Sequence, residues 1–197
     1  MDALGADKVA LRRAVLARRD ALAEHERADF SRCITQSLLR EPAVQLARRV
    51  LAYLSFGSEF DTSELLDALH ARGAALVLPR VDRQRRVLTL FAVNDLAADL
   101  VPGIWGIREP LPERCAHVER DETIDLVLAP GVAFTAHGDR LGYGGGFYDR
   151  LLGDWPQRPP VIAAAFEVQI VDDLPLGPHD VPVDRVVTQA RILSRGA

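Results

Sequence analysis

Residues 50–79 read VLAYLSFGSEFDTSELLDALHARGAALVLP. The apolar run at 50–56 is typical of a buried strand. A helix is predicted over 61–72 and a second strand over 75–78. A strand, a crossover helix and a second strand in this order form the repeating unit of a parallel sheet. This stretch therefore places the chain among α/β proteins.

Local signals define the ends of that helix and of the strand after it. Asp61 can cap the first turn, and Glu64 stands three residues later, as in a capping box. Gly73 can end the helix, because glycine adopts positive φ without steric cost. Pro79 is expected to stop the second strand, since proline cannot donate a hydrogen bond to a sheet.

The rest of the chain continues the same alternation. Further strands are predicted over 125–129, 161–166 and 185–188, a hairpin over 80–83 and 87–93, and a helix over 146–153. The stretch 94–123 carries several prolines and glycines and is predicted to be loop-rich. Helices over 7–23 and 27–40 precede the first strand and predict an N-terminal helical hairpin, within 1–45, packed on the main domain. We predict one α/β domain over 1–197 in three layers, with helices flanking a mostly parallel central sheet.

Composition limits the functional classes. The chain is 48% hydrophobic and 26% charged, which suits a globular domain with a core of its own. A net charge of −4 speaks against a nucleic-acid-binding face, and no run of 18 apolar residues predicts a membrane span. Cys33 and Cys115 lack metal-ligand spacing and indicate a reducing compartment. We expect a cytoplasmic protein that acts on small molecules, without nucleic-acid or membrane partners, as a monomer or at most a weak dimer.

The main candidate for chemistry is the glycine loop, residues 138–148, which reads GDRLGYGGGFY. Glycines let the backbone approach a ligand closely, and successive N–H groups form an anion-binding concavity. Arg140 supplies a fixed positive charge that suits a phosphate. The spacing matches neither the Walker pattern nor the dinucleotide fingerprint in its usual setting. The interleaved Tyr143, Phe147 and Tyr148 nevertheless distinguish the loop from a flexible linker.

Charged residues outside the loop leave alternatives open. Asp149 is suited to Mg²⁺ beside a phosphate, and equally to the first turn of a helix. Asp180 can complete a metal site with Asp149 only if the fold brings the two together. Lys8 and Arg12 share a helix face, which on residue type alone favours a solvated basic face. Glu59 follows the first strand, where ligands of such sheets bind, although a lone loop Glu is usually only solvated.

A pattern of motifs extends nearly from end to end. It comprises Lys8-x-x-Leu11-Arg12, Tyr53 and Glu59 with Thr62, Leu78-Pro79-Arg80-Val81, Gly106-Ile107-Arg108-Glu109-Pro110, Asp125-Leu126-Val127, Pro130-Gly131-Val132-Ala133-Phe134, the glycine loop with Asp149-Arg150, Phe166-Glu167-x-Gln169 and His179-Asp180-x-x-Val183-Asp184. In these motifs the sequence resembles the 5-formyltetrahydrofolate cyclo-ligase family, also called methenyltetrahydrofolate synthetases.

The resemblance implies an enzyme that uses ATP and Mg²⁺ to convert 5-formyltetrahydrofolate to 5,10-methenyltetrahydrofolate, giving ADP and phosphate. The formyl oxygen would be phosphorylated, and N10 would then attack to close the ring. Such a step needs positioning and charge neutralisation more than a protein nucleophile.

The resemblance also implies residue roles by position. The ATP-binding set would be Lys8, Arg12, Arg140, Leu141, Gly142, Tyr143, Gly144, Gly145, Gly146, Phe147 and Tyr148. The folate-binding set would be Leu54, Glu59, Tyr143, Gly144, Gly145, Gly146 and Phe147. Asp149 and Asp180 would bind Mg²⁺, and Arg140 and Tyr148 would be catalytic.

The sequence departs from the family pattern at three positions. Gly145 stands where some members have Lys, Phe147 where Tyr is common, and Gln189 where many members have Glu. None of these changes removes a residue expected to bind metal or phosphate.

Two other functions remain open from the sequence. One is an isomerase or transferase acting on a sugar phosphate or a CoA ester, which rests on fold analogy alone. The other is a protein that holds nucleotide or folate without turnover.

Overall fold

The structure is a computed structural model that describes residues 3–103, 106–119, 122–155 and 157–196. The helices in these ranges are α1 (Ala3–Asp20), α2 (Glu24–Arg40), α3 (Pro42–Leu46), α4 (Ser63–Ala71) and α5 (Phe147–Gly153). The strands are β1 (Arg49–Leu51), β2 (Ala75–Asp82), β3 (Val87–Val93), β4 (Leu100–Pro102), β5 (Arg108–Pro110), β6 (Ala116–Val118), β7 (Leu126–Leu128), β8 (Ala133–Phe134), β9 (Arg140–Leu141), β10 (Val161–Ala164), β11 (Arg185–Val187) and β12 (Ile192–Ser194). Among the described residues, no helix is long and apolar enough to span a membrane.

A mixed sheet of eight strands forms the central layer, in the order β12-β11-β10-β7-β1-β2-β3-β6. The strands β11, β10, β7, β1 and β2 are parallel, and antiparallel pairs extend the sheet at both ends. Val50 is in register with Leu76 on one side and with Leu126 on the other. The predicted crossover unit therefore lies at the centre of the sheet, where strands need apolar residues on both faces.

Apolar side chains cover both faces of the sheet. On one face, Val50 and Leu76 belong to a cluster that includes residues of α2 and α4. On the other face, Leu51 and Val77 belong to a cluster that includes residues of α5. Successive strand residues point to opposite faces, so each strand supplies both clusters. This arrangement confirms the prediction of a three-layer α/β fold with a mostly parallel sheet.

The two N-terminal helices follow one another but pack in different places. Val15 of α1 packs with Leu141 and Leu174, close to the glycine loop. Ile34 and Leu38 of α2 are buried in the cluster beneath the sheet. The predicted helical hairpin thus consists of one helix that supports the glycine loop and one that supports the sheet. The single-domain boundary at 1–197 stays a prediction.

Strand β2 does not end where the sequence predicts. It continues past Pro79, which pairs with Leu90 of β3. The N–H of Ala52, just after β1, donates to the carbonyl of Val77. Along a strand, backbone groups of residues two apart point to the same neighbouring strand, so the nitrogen of Pro79 faces the side of β1, as the carbonyl of Val77 does. Because β1 has already ended at that level, no N–H donor is needed, and proline is tolerated.

Three other parts of the chain also differ from the sequence-based predictions. The region 94–123 holds the short strands β4, β5 and β6, and β6 joins the central sheet beside β3. Residues 52–56 leave the sheet although their sequence is strand-like. Thr62, and not Asp61, is the N-cap of α4, while the Asp61 carboxylate accepts a hydrogen bond from Ser63 N at 3.0 Å.

Candidate active site

A cavity of about 840 Å³ lies at the carboxyl ends of the parallel strands. Its lining includes Tyr53 after β1, Pro79 in β2 and Pro130 after β7. Ligands of open α/β sheets bind at this edge, where the loops that follow the strands converge. Many of the residues predicted for the site line the cavity: Leu54, Glu59, Arg140, Gly142, Tyr143, Gly145, Gly146, Phe147, Tyr148 and Asp149.

The glycine loop is held by its carbonyl groups. Arg12 Nε donates to the carbonyl of Gly142 at 2.7 Å, and Arg150 Nη2 donates to that of Gly145 at 2.8 Å. Gly144 and Gly146 have φ of +100° and +63°, which side chains disfavour. Within the described ranges, no hydrogen bond engages the N–H groups of residues 142–146. Exposed N–H groups of this kind are available to an anion.

The remaining predicted residues lie where the loop meets α1. Arg12 contacts the loop from α1, and a Cβ at Gly144 would lie 3.5 Å from its guanidinium carbon. Arg12 and Tyr143 also line a separate open hollow of about 550 Å³. Burial lowers the pKa of Arg12, while the nearby carboxylates oppose the shift. The side chain of Leu141 is buried against the core, so only its backbone can contact a ligand.

Arg140 and Asp149 form a buried ion pair at the base of the loop. Arg140 Nη2 lies 2.5 Å from Asp149 Oδ1, and the Arg140 side chain is only 2% exposed. The N–H of Val181 donates to the same oxygen at 3.2 Å. Burial lowers the pKa of Arg140 and the Asp149 charge opposes this, but a guanidinium stays protonated in proteins. Arg140 Nε is buried without a partner among the described residues.

Lys8 and Asp180 form a second ion pair, which joins α1 to the segment before β11. The N–H of Gly177 also donates to Asp180, at 2.6 Å. Because Asp149 contacts the residue that follows Asp180, the fold brings the two predicted metal ligands into one region. Two of the three cations predicted to bind ATP, Lys8 and Arg140, are thus paired with the two carboxylates predicted to bind Mg²⁺.

The two carboxylates fit a magnesium ion that arrives with a phosphate. In the described part of the chain, Asp149 Oδ2 and Asp180 Oδ1 accept no hydrogen bond. The same part holds no group of three or more His, Cys, Asp and Glu residues arranged for a metal. Mg²⁺ needs only one or two carboxylates when phosphate oxygens and waters complete its shell.

Glu59 and Arg19 are buried, and the partly exposed Tyr143 links them in one hydrogen-bond network. The Tyr143 hydroxyl donates to Glu59 Oε1 at 2.6 Å, and Arg19 Nη1 donates to the Tyr143 oxygen at 2.9 Å. Burial raises the pKa of Glu59, opposed by hydrogen bonds from Tyr143 and Phe56 N and by the Arg19 charge. Burial also raises the pKa of Tyr143, with the Glu59 charge adding to it, so Tyr143 remains a donor.

Tyr148 presents a second unpartnered polar atom. Its hydroxyl is buried and has no hydrogen-bond partner among the described residues, and burial raises its pKa. The chain has three tyrosines, Tyr53, Tyr143 and Tyr148, and all three line the cavity. A neutral phenol in such a position can donate one hydrogen bond to a bound oxygen.

Sequence reasoning missed several residues of the site. Arg19 is only 3% exposed and lies one helical turn after the buried Val15. A charged residue on the buried face of a helix is the sequence signal that could have identified Arg19 as functional or structural. Glu109 and Arg86 line the cavity from β5 and from the turn after β2. Glu109 falls within a motif that carries the family resemblance but has no role assigned from it.

The three departures from the family pattern have different surroundings. A Cβ at Gly145 would lie 2.7 Å from the Phe147 ring, so two of the departures are in contact. Arg150 lies over the same ring, with its guanidinium carbon 5.3 Å from the centroid. Gln189 lies apart from the loop, where its side-chain oxygen accepts a hydrogen bond from Glu167 N at 3.0 Å.

Together, the fold and the site define an α/β enzyme in which a glycine loop borders a cavity at the strand ends. Residues 5–189 match the model of the 5-formyltetrahydrofolate cyclo-ligase family, and the chain belongs to this family. Family membership makes it a ligase.

Individual relatives agree with this assignment. The chain is 31% identical over 176 residues to a 5-formyltetrahydrofolate cyclo-ligase of Escherichia coli, which covers 89% of this chain and 96% of that protein. It is 37% identical over 146 residues to a Mycolicibacterium smegmatis protein of the same name, covering 73% and 75%. The solved structure of Aquifex aeolicus 5,10-methenyltetrahydrofolate synthetase matches with a TM-score of 0.83 at 31% identity, over 96% of this chain and 93% of that one.

Proposed function

We propose that the protein catalyses the ATP- and Mg²⁺-dependent cyclisation of 5-formyltetrahydrofolate to 5,10-methenyltetrahydrofolate, with release of ADP and phosphate. The observation that carries the proposal is the glycine loop, whose N–H groups at 142–146 are unpartnered among the described residues beside the buried Arg140. The choice of a folate as the second substrate rests on the names of the relatives. We further propose that the protein acts on small molecules in the cytoplasm as a monomer or weak dimer.

In this proposal the glycine loop holds the phosphates of ATP. The N–H groups of residues 142–146 bind phosphate oxygens, and Lys8 and Arg12 add positive charge from α1. Phosphoryl transfer depends chiefly on positioning and on neutralising charge, which fixed backbone dipoles and buried cations provide without reorganisation. Asp149 and Asp180 would hold Mg²⁺, which would supply further charge neutralisation.

Arg140 and Tyr148 are proposed to act at the reacting oxygen. Arg140 Nε and the Tyr148 hydroxyl are buried donors that lack partners within the described ranges. They can bind the formyl oxygen as it gains the γ-phosphoryl group, because a charged donor in a site shielded from water stabilises developing negative charge. N10 then attacks the formyl carbon and loses its proton, and the bond from that carbon to the phosphorylated oxygen breaks to release phosphate.

The folate is proposed to bind in the apolar part of the cavity. Leu54 and Phe147 supply apolar surface, the loop residues 143–147 pass between the two substrates, and Glu59 accepts hydrogen bonds from the pterin. Since Glu59 already holds Tyr143, binding of the pterin and position of the loop are linked through one carboxylate.

The test is a spectroscopic assay with purified protein. Growth of methenyl absorbance in the near ultraviolet should require protein, ATP, Mg²⁺ and 5-formyltetrahydrofolate together, with one ADP formed per methenyl product. Protein that binds ATP but yields no methenyl absorbance would refute the proposal. Binding of a sugar phosphate or CoA ester in place of ATP would support the isomerase or transferase alternative, and binding of both substrates without product would support a non-catalytic protein.

A further inference from the structure

The cavity is lined by two buried carboxylates whose hydrogen bonding differs. Glu59 accepts short bonds on both oxygens, at 2.6 Å from the Tyr143 hydroxyl and at 3.0 Å from Phe56 N. Glu109 is equally buried, with a residue exposure of 7%. Its contacts within the described ranges are long: Val81 N lies 3.4 Å from Oε1, and Arg80 Nε lies 3.6 Å from Oε2.

These distances leave the Glu109 carboxylate poorly satisfied. Hydrogen bonds between N–H and oxygen are typically 2.7–3.2 Å long, and those between charged groups are shorter still. A buried carboxylate without good donors is costly, so native proteins pair such groups. A ligand in the cavity that Glu109 lines can supply the missing donors.

The chain makes room for this carboxylate. Gly103, in the hairpin between β4 and β5, has no side chain, and a Cβ there would lie 2.5 Å from Glu109 Cγ and 2.8 Å from Oε2. Any larger residue at 103 would displace Glu109 from its position. The hairpin is closed by a hydrogen bond from Gly103 N to the carbonyl of Ile107 at 2.8 Å.

We infer that Glu109 is a second folate-binding carboxylate, which accepts two hydrogen bonds from the amino-pyrimidinone edge of the pterin. This inference rests on the proposed function. The 2-amino group and the neighbouring ring N–H of a pterin point the same way and match the two oxygens of one carboxylate. Glu109 therefore sets the specificity for the amino-substituted ring.

A structural role for Glu109 makes a different prediction. In that case Glu109 would only hold Arg80, whose side chain is 40% exposed, and Arg80→Gln would weaken folate binding as much as Glu109→Gln. If Glu109 binds the pterin, Arg80→Gln retains folate affinity. Glu113→Gln removes an exposed carboxylate from the same region and serves as the matched control.

The experiment is calorimetric titration without ATP, so that no turnover occurs. Glu109→Gln should weaken binding of 5-formyltetrahydrofolate by about 10- to 100-fold, as expected for loss of charge-assisted hydrogen bonds. Its ATP affinity should be unchanged, and the Arg80→Gln and Glu113→Gln variants should bind folate as the wild type does. A Glu109→Gln variant with wild-type folate affinity overturns the inference.

A second ligand distinguishes specific recognition of the 2-amino group from a nonspecific loss of folate affinity. An analogue in which a methyl group replaces the 2-amino group should bind the wild-type protein more weakly than the substrate, and Glu109→Gln should lose most of that discrimination. Equal losses for both ligands overturn the inference. If Glu109→Gln does not fold, as judged by circular dichroism, Glu109→Asp is compared in the same way. Wild-type protein that binds no 5-formyltetrahydrofolate overturns the proposed function as well, whereas normal wild-type turnover with unaltered variants overturns the Glu109 inference alone.

Discussion

Replacement of Asp149 by alanine should destabilise the free protein as well as inactivate it. The Arg140 side chain is 2% exposed, and without Asp149 its remaining partner in the described part of the chain is the Pro130 carbonyl at 3.3 Å. Removing one partner of a buried ion pair costs about 3–5 kcal/mol, because the other charge stays buried. At roughly 2–4 °C per kcal/mol for a domain of this size, we expect the melting temperature to fall by about 6–20 °C.

The variant should still fold, since domains have a stability of about 5–15 kcal/mol. Asp149→Asn is the matched control. Its side-chain oxygen can still accept from Arg140 and from Val181 N, so it should lose less stability than the alanine variant. Both variants remove the negative charge proposed for Mg²⁺ and should lose methenyl formation to a similar degree. Stability and activity are thereby separated.

Urea unfolding followed by circular dichroism, with and without inorganic phosphate, measures the stability. Phosphate should stabilise Asp149→Ala more than the wild type, because an anion can replace the missing carboxylate beside Arg140. An alanine variant that unfolds at the wild-type urea concentration would refute the reasoning from the buried pair. An asparagine variant with normal turnover would refute the proposed metal role.

Three further predictions concern the loop and its neighbours. Lys8→Met removes the cation paired with Asp180, so Mg²⁺ without ATP should bind about fivefold more tightly by calorimetry, since a partly exposed pair contributes about 1 kcal/mol; unchanged affinity would contradict this. Glu59→Gln should raise the KM for folate with ATP binding intact. Because burial raises the pKa of Glu59, wild-type stability falls as pH rises through that folded-state pKa, so the melting temperature of the wild type should fall relative to that of the Gln variant across that range. Gly145→Ala places a Cβ 2.7 Å from the Phe147 ring and should weaken binding of both substrates, whereas wild-type dissociation constants would show that the ring moves freely.

The sequence predicts the centre of the fold well because its signals there are local. In residues 50–79, apolar runs separated by a helical pattern determine a crossover unit, and the structure has it. The predicted end of the first strand is wrong for a tertiary reason. Tyr53, Leu54 and Phe56 are apolar like a strand, but they line a cavity instead of a sheet face. An apolar pattern reports burial, and does not tell which surface buries the residue.

The site also contains some residues that the sequence identifies and others that it does not. The glycine loop can be found from sequence, because positive φ and close backbone approach require glycine. Arg19 and Glu109 cannot be assigned from their own segments. Arg19 acquires its role from Tyr143, 124 residues away, and Glu109 acquires its surroundings from Gly103 and β2. Such roles depend on partners that only the folded chain brings together.

Under the proposed function, the pairing of charges in the site affects how ATP and Mg²⁺ would bind. Lys8 is paired with Asp180 and Arg140 with Asp149, and Arg12 interacts electrostatically with both carboxylates. Mg²⁺ alone has to compete with two cations for the carboxylates. ATP alone would draw the cations away and leave the carboxylates facing phosphate. Only the two together would offer a negative partner to the cations and a positive partner to the carboxylates. Under the proposed function, the ion pairs would therefore favour the Mg²⁺–ATP complex over either component, and the Lys8→Met titration tests this for Mg²⁺ alone.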